Sequence, residues 1–402
     1  MVMKYIVIIP DGMADYPVEE LGNKTPLEVA DTPNMDYIAQ NGSIGVVTTI
    51  PEGMRPGSDV GNMSLLGYDP TRYLSGRAPL EAANMGINLN NDEVAFRCNL
   101  VTVTDEKMAD YSASHISTKE AALLIEALNN DIGLEDVKFY VGKSYRHLLV
   151  LKLRNPDDYL KIRTTPPHDI IGRKFKQYLP KGKQSPMLLK LMERSRKVFE
   201  SHSVNQVRID LGENPANMIW LWGQGIKPDL PLFKDKFGVE GGIISAVDLV
   251  NGIGKLAGLK VIDVPGITGY YDTNYAGKAK YALEALKSLG IVFIHIESAD
   301  EAGHNGDINA KVSCIEKIDK EVIGEILSYF NECDDIRILV VPDHPTPVSL
   351  RTHTADAVGF IMFGKNIPVS GISGYSEKAA KESGIVYNTG ELLLNDFIKR
   401  YM

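Results

Sequence analysis

Residues 340 to 356 read VVPDHPTPVSLRTHTAD, an apolar run that stops at Asp343-His344 and is followed nine residues later by His353. Two other apolar runs end in similar chemistry. YIVIIP leads into Asp11, and IVFIHIESADEAGHNGD carries Asp300 and His304 four residues apart. The whole chain has eight histidines, and four of them fall between residues 295 and 353, three beside or near aspartates. Carboxylate and imidazole together suit Zn²⁺, Mn²⁺ or Fe²⁺. The Asp300/His304 spacing places both side chains on one face of a helical turn. Neighbouring strand residues face opposite ways, so Asp343 and His344 can serve one site only where the backbone has left the strand. Pro345 and Pro347 enforce such an irregular path. Each residue alone also has an ordinary reading, the aspartates as turn formers and the histidines as caps or core groups. His295 lies inside a strand and reads as core, or as support for a ligand.

A second stretch, EGMRPGSDVGNMSLLGYDP, sets Ser58 in a glycine-lined turn at a possible helix start. A serine there can act as a nucleophile with backbone N–H groups around an incoming phosphate. It serves equally well as a helix N-cap. The stretch has neither the GxxxxGK[ST] pattern of a phosphate loop nor the GxSxG turn of a hydrolase.

The elements that must position these residues alternate between strand and helix. Tyr5–Ile9, SIGVVTTI, LKVIDV, IVFIHIE, DIRILVV and AVGFIMFG read as strands. DTPNMDYIAQNG, ISAVDLVNGIGKLAG, TNYAGKAKYALEALKSLG and INAKVSCIEKIDKEVIGEILSYF read as helices, with a last one near 391–398. The long helix repeats Ile315, Ile318, Val322 and Ile326 near helical spacing. This rhythm predicts an α/β layer architecture with a mostly parallel sheet. In such a sheet the carboxyl ends of the strands form the site crevice, where Asp11, Asp300/His304 and Asp343/His344 can converge. From about residue 76 the texture changes to the strands EVAFRCNLVTV and YRHLLVLKL, the helix SHISTKEAALLIEALNN and a proline-rich basic segment. The chain is therefore expected to form a discontinuous domain, residues 1–75 plus 240–402, with a smaller α+β domain, 76–239, inserted into it.

With 402 residues, two domains are the expectation, and a composition of 44% hydrophobic and 24% charged residues is that of a globular protein. A formal charge of -9 argues against non-specific nucleic-acid binding. Cys98, Cys314 and Cys333 show no paired spacing, as expected of inert thiols in a reducing compartment. MVMKYIVIIPDGM has five apolar residues before Pro10 and Asp11, a strand rather than a signal or span, and no other run approaches membrane length. A cytoplasmic protein without membrane or nucleic-acid partners is expected.

The ordered set Asp11, Ser58, Asp300/His304, Asp343/His344 and His353 resembles the alkaline phosphatase superfamily. The stretches IPDGMADYP, KTPLEVADTPNMDYIAQNG, RPGSDVGNMSLLGYDP, GRAPLEAANMGI, NMIWLWGQG, GYYDTNYAGKAKYA, IESADEAGHNGD and PDHPTPVSLRTHTADAVGF resemble more closely the archaeal-type, cofactor-independent phosphoglycerate mutases, over nearly the whole chain. The resemblance implies an alkaline-phosphatase-like core with an inserted domain. It implies two divalent ions (manganese, zinc or cobalt), one held by Asp300, His304 and His353, the other by Asp11, Asp343, His344 and Ser58. It further implies that 3-phosphoglycerate and 2-phosphoglycerate are interconverted through phosphorylated Ser58, a reaction of glycolysis and gluconeogenesis that needs no 2,3-bisphosphoglycerate. Another metal-dependent phosphomutase or a phosphatase of the same superfamily is the alternative.

By the same resemblance Lys278 reaches the phosphoryl oxygens, although a helix lysine can also be plain surface. Where the longer form of the enzyme has a histidine, this chain has Asn62, a substrate-binding candidate. Glycerate must be held by its carboxylate and shielded from water, work suited to the inserted domain and to planar guanidinium groups. Arg97, Arg77, Arg163 and Arg146 are the candidates. His115 is an acid/base or hydroxyl-positioning candidate that could instead cap the helix after Ser117. Family members form dimers or larger assemblies, so a homo-oligomer is one option that the sequence leaves open.

Overall fold

The computed structural model describes residues 3–330 and 335–400; Cys333 lies outside them. The chain forms two compact units, Met1–Leu74 with Asp229–Met402, and Ser75–Pro228. Its strands in chain order are β1 (Lys4–Pro10), β2 (Ser43–Val47), β3 (Glu93–Thr104), β4 (Lys107–Asp110), β5 (Val137–Lys143), β6 (Arg146–Lys152), β7 (Met218–Ile226), β8 (Gly241–Ile244), β9 (Lys260–Val261), β10 (Ile291–Ile296), β11 (Ile336–Val340), β12 (Val358–Gly364) and β13 (Val386–Tyr387).

The first unit is built on an eight-stranded sheet ordered β13-β2-β12-β11-β1-β10-β8-β9. β1 pairs in parallel with β10 on one side and β11 on the other. β12 runs antiparallel to both β11 and β2. The central strands are continuous β-branched runs because helices cover both faces. Ile6, Val7, Ile8, Val292, Phe293, Ile294 and Ile338 are all fully buried. The strand register aligns the ends of the three central strands. Pro10 lies opposite Ile296 and Ile8 opposite Val340. The backbone N–H groups of Asp11 and Val341 continue these ladders to Ile296 and Ile8. The segments after β10, β1 and β11 therefore leave one edge of the sheet side by side.

Ile315, Ile318, Val322 and Ile326 are fully buried, as their spacing requires. The long helix is Ile308–Lys317, a wider π-helical stretch Ile318–Ile323, and Gly324–Phe330.

Three sequence boundaries move. Ile244 belongs to β8, and the helix expected from Ile244 starts at Asp248, since pairing with β10 claims its first residue. LKVIDV keeps only two paired residues, at the sheet margin. Residues 229–239 pack in the first unit rather than in the insertion, because Phe233 and Phe237 are buried there and Phe233 meets Phe293 edge-on.

The second unit is an antiparallel five-stranded sheet in which β3 pairs with β4, β6 and β7, and β5 pairs with β6. The helix Thr118–Ile132 starts at a capping box between Ser117 and Glu120, and buries Leu124, Ile125 and Leu128 in this unit's own core. Among the described residues, no helix is long and apolar enough to cross a membrane.

Candidate active site

Three neighbouring segments bring the carboxylates and imidazoles together. Asp11 follows β1 and is buried. Asp300 and His304 lie on the helix Ser298–Asn305 that follows β10, with His304 Nε2 3.3 Å from Asp300 Oδ2. Asp343 and His344 lie in the irregular segment after β11, both fully buried. His353 is on the same segment further along, its Nε2 3.4 Å from Asp300 Oδ1 and 2.9 Å from His304 Nε2. Asp300, His304 and His353 form one set whose ligand atoms lie within 4.8 Å of one another. Asp11, Asp300 and His344 form a second such set, and Asp11, His295 and Asp343 a third.

Ser58 opens the helix Ser58–Leu65, and Gly57 takes the capping position without a side-chain cap bond. The hydroxyl is therefore not the cap. It points instead at His344, with Oγ and Nε2 3.3 Å apart. Asn62, one turn on, donates from Nδ2 to the Ser58 carbonyl at 2.9 Å and to Asp343 Oδ2 at 2.8 Å. It ties the helix start to a ligand-type carboxylate. Gly61 lets this helix approach closely, since a Cβ there would stand 2.5 Å from the Asp343 carbonyl oxygen.

The electrostatics match a cation site. Burial, reinforced by the carboxylates of Asp343 and Asp300, pushes Asp11 well above the usual carboxylate range. Neither of its oxygens has a hydrogen-bond donor, although the Nε2 atoms of His295 and His344 stand 3.2 and 3.5 Å away. Burial opposes ionisation of Asp300 too, but hydrogen bonds from His304 and His353 outweigh it and hold that carboxyl well below its ordinary value. The bond to Asp300 raises His304 to about 9, while burial lowers His344 and brings His295 down to about 4. Three crowded carboxylates, with Asp11 buried and unbonded among them, are what divalent ions would relieve, so the residues present fit such ions.

Thr346 and Glu297 are contributors that the sequence does not mark, and His295 and Lys278, which it does mention, take defined places. His295, read as core or support, comes within reach of Asp11, and Ser245 Oγ lies 3.2 Å from its Nδ1. Thr346 donates from Oγ1 to Asp300 Oδ1 at 2.5 Å. Glu297 is raised to about 8 by burial and by Asp300 and Glu301, with Lys278 opposing. Lys278 is fully buried on the helix Tyr275–Leu286 and donates to the His295 carbonyl at 2.6 Å. It is not a surface lysine, and burial brings it down to about 8 despite Glu297 and Asp11.

The arginine candidates and His115 belong to the second unit. Arg97, on β3, pairs with Glu81 at 2.9 Å and lies over the Trp222 ring at 4.1 Å. Burial lowers its pKa against the pull of Glu81, and the charges of Arg77 and Arg146 lower it further, so these three guanidinium groups share one neighbourhood. Arg146 lies over Tyr145. Arg163 is exposed, on a segment bridged to Lys181. His115 contacts Tyr111 and Tyr145 edge-on, and Tyr111 in turn contacts His168. His115 does not cap the following helix; Ser117 does. It ends a run of left-handed residues, Ala113, Ser114 and His115.

Fold and site together define a class, the α/β proteins with an alkaline-phosphatase-like core and an inserted domain. A solved structure of a Pyrococcus horikoshii protein matches with a TM-score of 0.83 at 27% identity, covering 99% of this chain and 97% of that one. The cofactor-independent phosphoglycerate mutase of Thermoplasma acidophilum shares the fold, with a TM-score of 0.70 at 24% identity over the full length of both chains. The family model described as 2,3-bisphosphoglycerate-independent phosphoglycerate mutase matches residues 39–205. A curated protein of that name from Methanosarcina barkeri is 51% identical over 387 residues, 95% of this chain and 96% of its own. A "probable" one from Geobacter sulfurreducens is 47% identical over 403 residues, 99% of this chain and all of its own. The chain belongs to the 2,3-bisphosphoglycerate-independent phosphoglycerate mutases.

Proposed function

We propose that this chain interconverts 3-phosphoglycerate and 2-phosphoglycerate by passing the phosphoryl group to Ser58 and back, without 2,3-bisphosphoglycerate. The observation that carries the reading is the Ser58 hydroxyl, half-buried at the first turn of its helix and 3.3 Å from His344 within a cluster of buried ligand-type groups.

Asp300, His304 and His353 would hold one divalent ion, and Asp11, Asp343, His344 and Ser58 the other. Bound there, such ions favour the deprotonated serine and offset charge on the transferring phosphoryl group. The chain's own residues do the rest. Ser58 Oγ attacks phosphorus in line, an O–P bond to the enzyme forms as the one to glycerate breaks, and the departing glycerate oxygen gains a proton. The reverse step returns the phosphoryl group to the other hydroxyl, and no water is consumed. Asn62 orients Ser58 against Asp343 through its two hydrogen bonds. His295 orients Asp11. Lys278, below about pH 8, supplies a fixed ammonium next to the reacting group. The guanidinium groups of Arg97, Arg77 and Arg146 hold the glycerate carboxylate, and His115 positions its hydroxyls. Arg163, exposed on its own segment, is a further candidate for that carboxylate.

The test is to incubate the Mn²⁺-loaded protein with 3-phosphoglycerate, without bisphosphoglycerate, and follow 2-phosphoglycerate and free phosphate. Isomer without phosphate is expected. Phosphate alone would reassign the protein as a phosphatase, and neither product would sink the reading.

A further inference from the structure

We propose that the buried Asp15–Lys311 ion pair is a positioning device that sets the spacing of the ligand-bearing segments and thereby the affinity of the site for its ions. The proposal rests on the metal-site reading above. Lys311 is fully buried on the helix Ile308–Lys317. Its ammonium donates to Asp15 Oδ2 at 2.7 Å, to the Thr346 carbonyl at 2.9 Å and to the Ala14 carbonyl at 3.3 Å. An ammonium has three protons, and these three acceptors use them all. Two of them, Ala14 and Asp15, lie on the segment that carries Asp11. The third lies on the segment that carries Asp343 and His344.

The Asp15 carboxylate completes the tie. It accepts from the N–H of Val348, with Oδ2 at 3.1 Å, and from Tyr16 N at 2.8 Å. The Thr346 N–H donates in turn to the Ala14 carbonyl at 3.2 Å. Thr346 then extends the network to the third segment, because its hydroxyl holds Asp300 Oδ1 at 2.5 Å and lies 3.3 Å from His344 Nδ1. The helix bearing Asp300 is pressed against the same residue. A Cβ on Gly303 would stand 2.2 Å from the Thr346 carbonyl oxygen.

Stability alone is a poor reason for this arrangement. Taking both charges out of water offsets most of their attraction, and apolar side chains of similar volume often hold a fold as well. An apolar pair, however, has no donors to fix the carbonyls of Ala14 and Thr346 relative to each other. Directional bonds to two ligand segments are what the ion pair adds, and outer groups of this kind tune metal sites.

The experiment uses the full chain with Asp15→Asn/Lys311→Met together, and Asp15→Glu, which keeps both buried charges but changes the reach of the tie, as the second variant in case the double one does not fold. Mn²⁺ binding is measured by calorimetry well below the melting temperature, beside thermal melts of the metal-free proteins. The double variant is expected to melt close to the wild type yet bind Mn²⁺ about tenfold more weakly or worse, with the single variant shifted the same way. An unchanged Kd in a folded variant, with or without a lower melting temperature, overturns the proposal, because a purely structural pair moves only the melt. If the wild type itself binds no Mn²⁺, the metal-site reading falls and this proposal falls with it.

Discussion

Gly12→Ala puts a single methyl group into the most crowded corner of the site. Gly12 has a φ of +62°, and a Cβ there would stand 2.6 Å from Asp300 Oδ1, 2.6 Å from Thr346 Oγ1 and 2.7 Å from Asp300 Cα. Its own N–H donates to Asp343 Oδ1 at 3.2 Å. The left-handed backbone alone costs a non-glycine residue roughly 1–2 kcal/mol. Forcing a methyl into a packed site adds about 1–3 kcal/mol. The sum is roughly 2–5 kcal/mol, which at about 2–4 °C per kcal/mol for a domain of this size lowers the melting temperature by several degrees or more. Gly22 is an internal control. It has a φ of +69° in the same unit, but a Cβ there meets nothing within 4 Å. Gly22→Ala should therefore show the backbone cost only. Melting both variants with and without Mn²⁺ separates the two effects. Gly12→Ala should lose clearly more than Gly22→Ala, and also lose most of the stabilisation that Mn²⁺ gives the wild type, since Asp300 must move. Equal losses in the two variants, with the Mn²⁺ effect intact, would refute the packing argument.

Three further outcomes are expected. Lys278 is held near 8, below its ordinary 10.5, so its ammonium is present below about pH 8 and lost above it; burial of the charge weakens the fold most below that pH and less as the proton leaves. kcat/KM should accordingly fall as pH rises through about 8, and Lys278→Arg should move that limb upward in any activity it retains. Asp110 holds the left-handed turn before His115 by accepting from Ser112 N, Ser112 Oγ and Ser114 N at 2.6–2.7 Å. Asp110→Ala should cost about 1–3 kcal/mol in chemical denaturation and lower kcat, whereas Ser114→Gly, which removes a strained φ of 53°, should stabilise by about 1 kcal/mol. For the carboxylate clamp, Arg97→Lys should raise the KM for 3-phosphoglycerate about tenfold or more despite keeping the charge, because a point charge lacks the planar fork.

The strand ends are readable in the sequence because each is an apolar run cut off by a polar residue, and neighbouring parallel strands deliver such ends to one edge. The helical spacing of Asp300 and His304 is readable for the same local reason. What Ser58 does at its helix start is not, since serine and glycine both cap and only the backbone shows Gly57 in that position. Nothing in the sequence marks Lys311, which stands in an amphipathic helix as an ordinary charged residue, because its three acceptors lie roughly 300 residues upstream and 35 residues downstream. Thr346 is silent for a similar reason, as Asp300 reaches it from a helix 46 residues upstream, whereas His295 is legible only as core or support until Asp11 is placed beside it. The borders of the insertion shift because Phe233 and Phe237 carry no local sign of which core they fill.

The central claim is that Ser58 carries the phosphoryl group. The direct measurement is to mix Mn²⁺-loaded enzyme with 3-phosphoglycerate bearing a radiolabelled phosphoryl group, quench during turnover, and locate the label by peptide mapping. Label on the peptide containing Ser58, absent from Ser58→Ala protein that still binds Mn²⁺ through the remaining ligands, is the predicted result. Turnover to 2-phosphoglycerate by Ser58→Ala, or label on another residue, would contradict it.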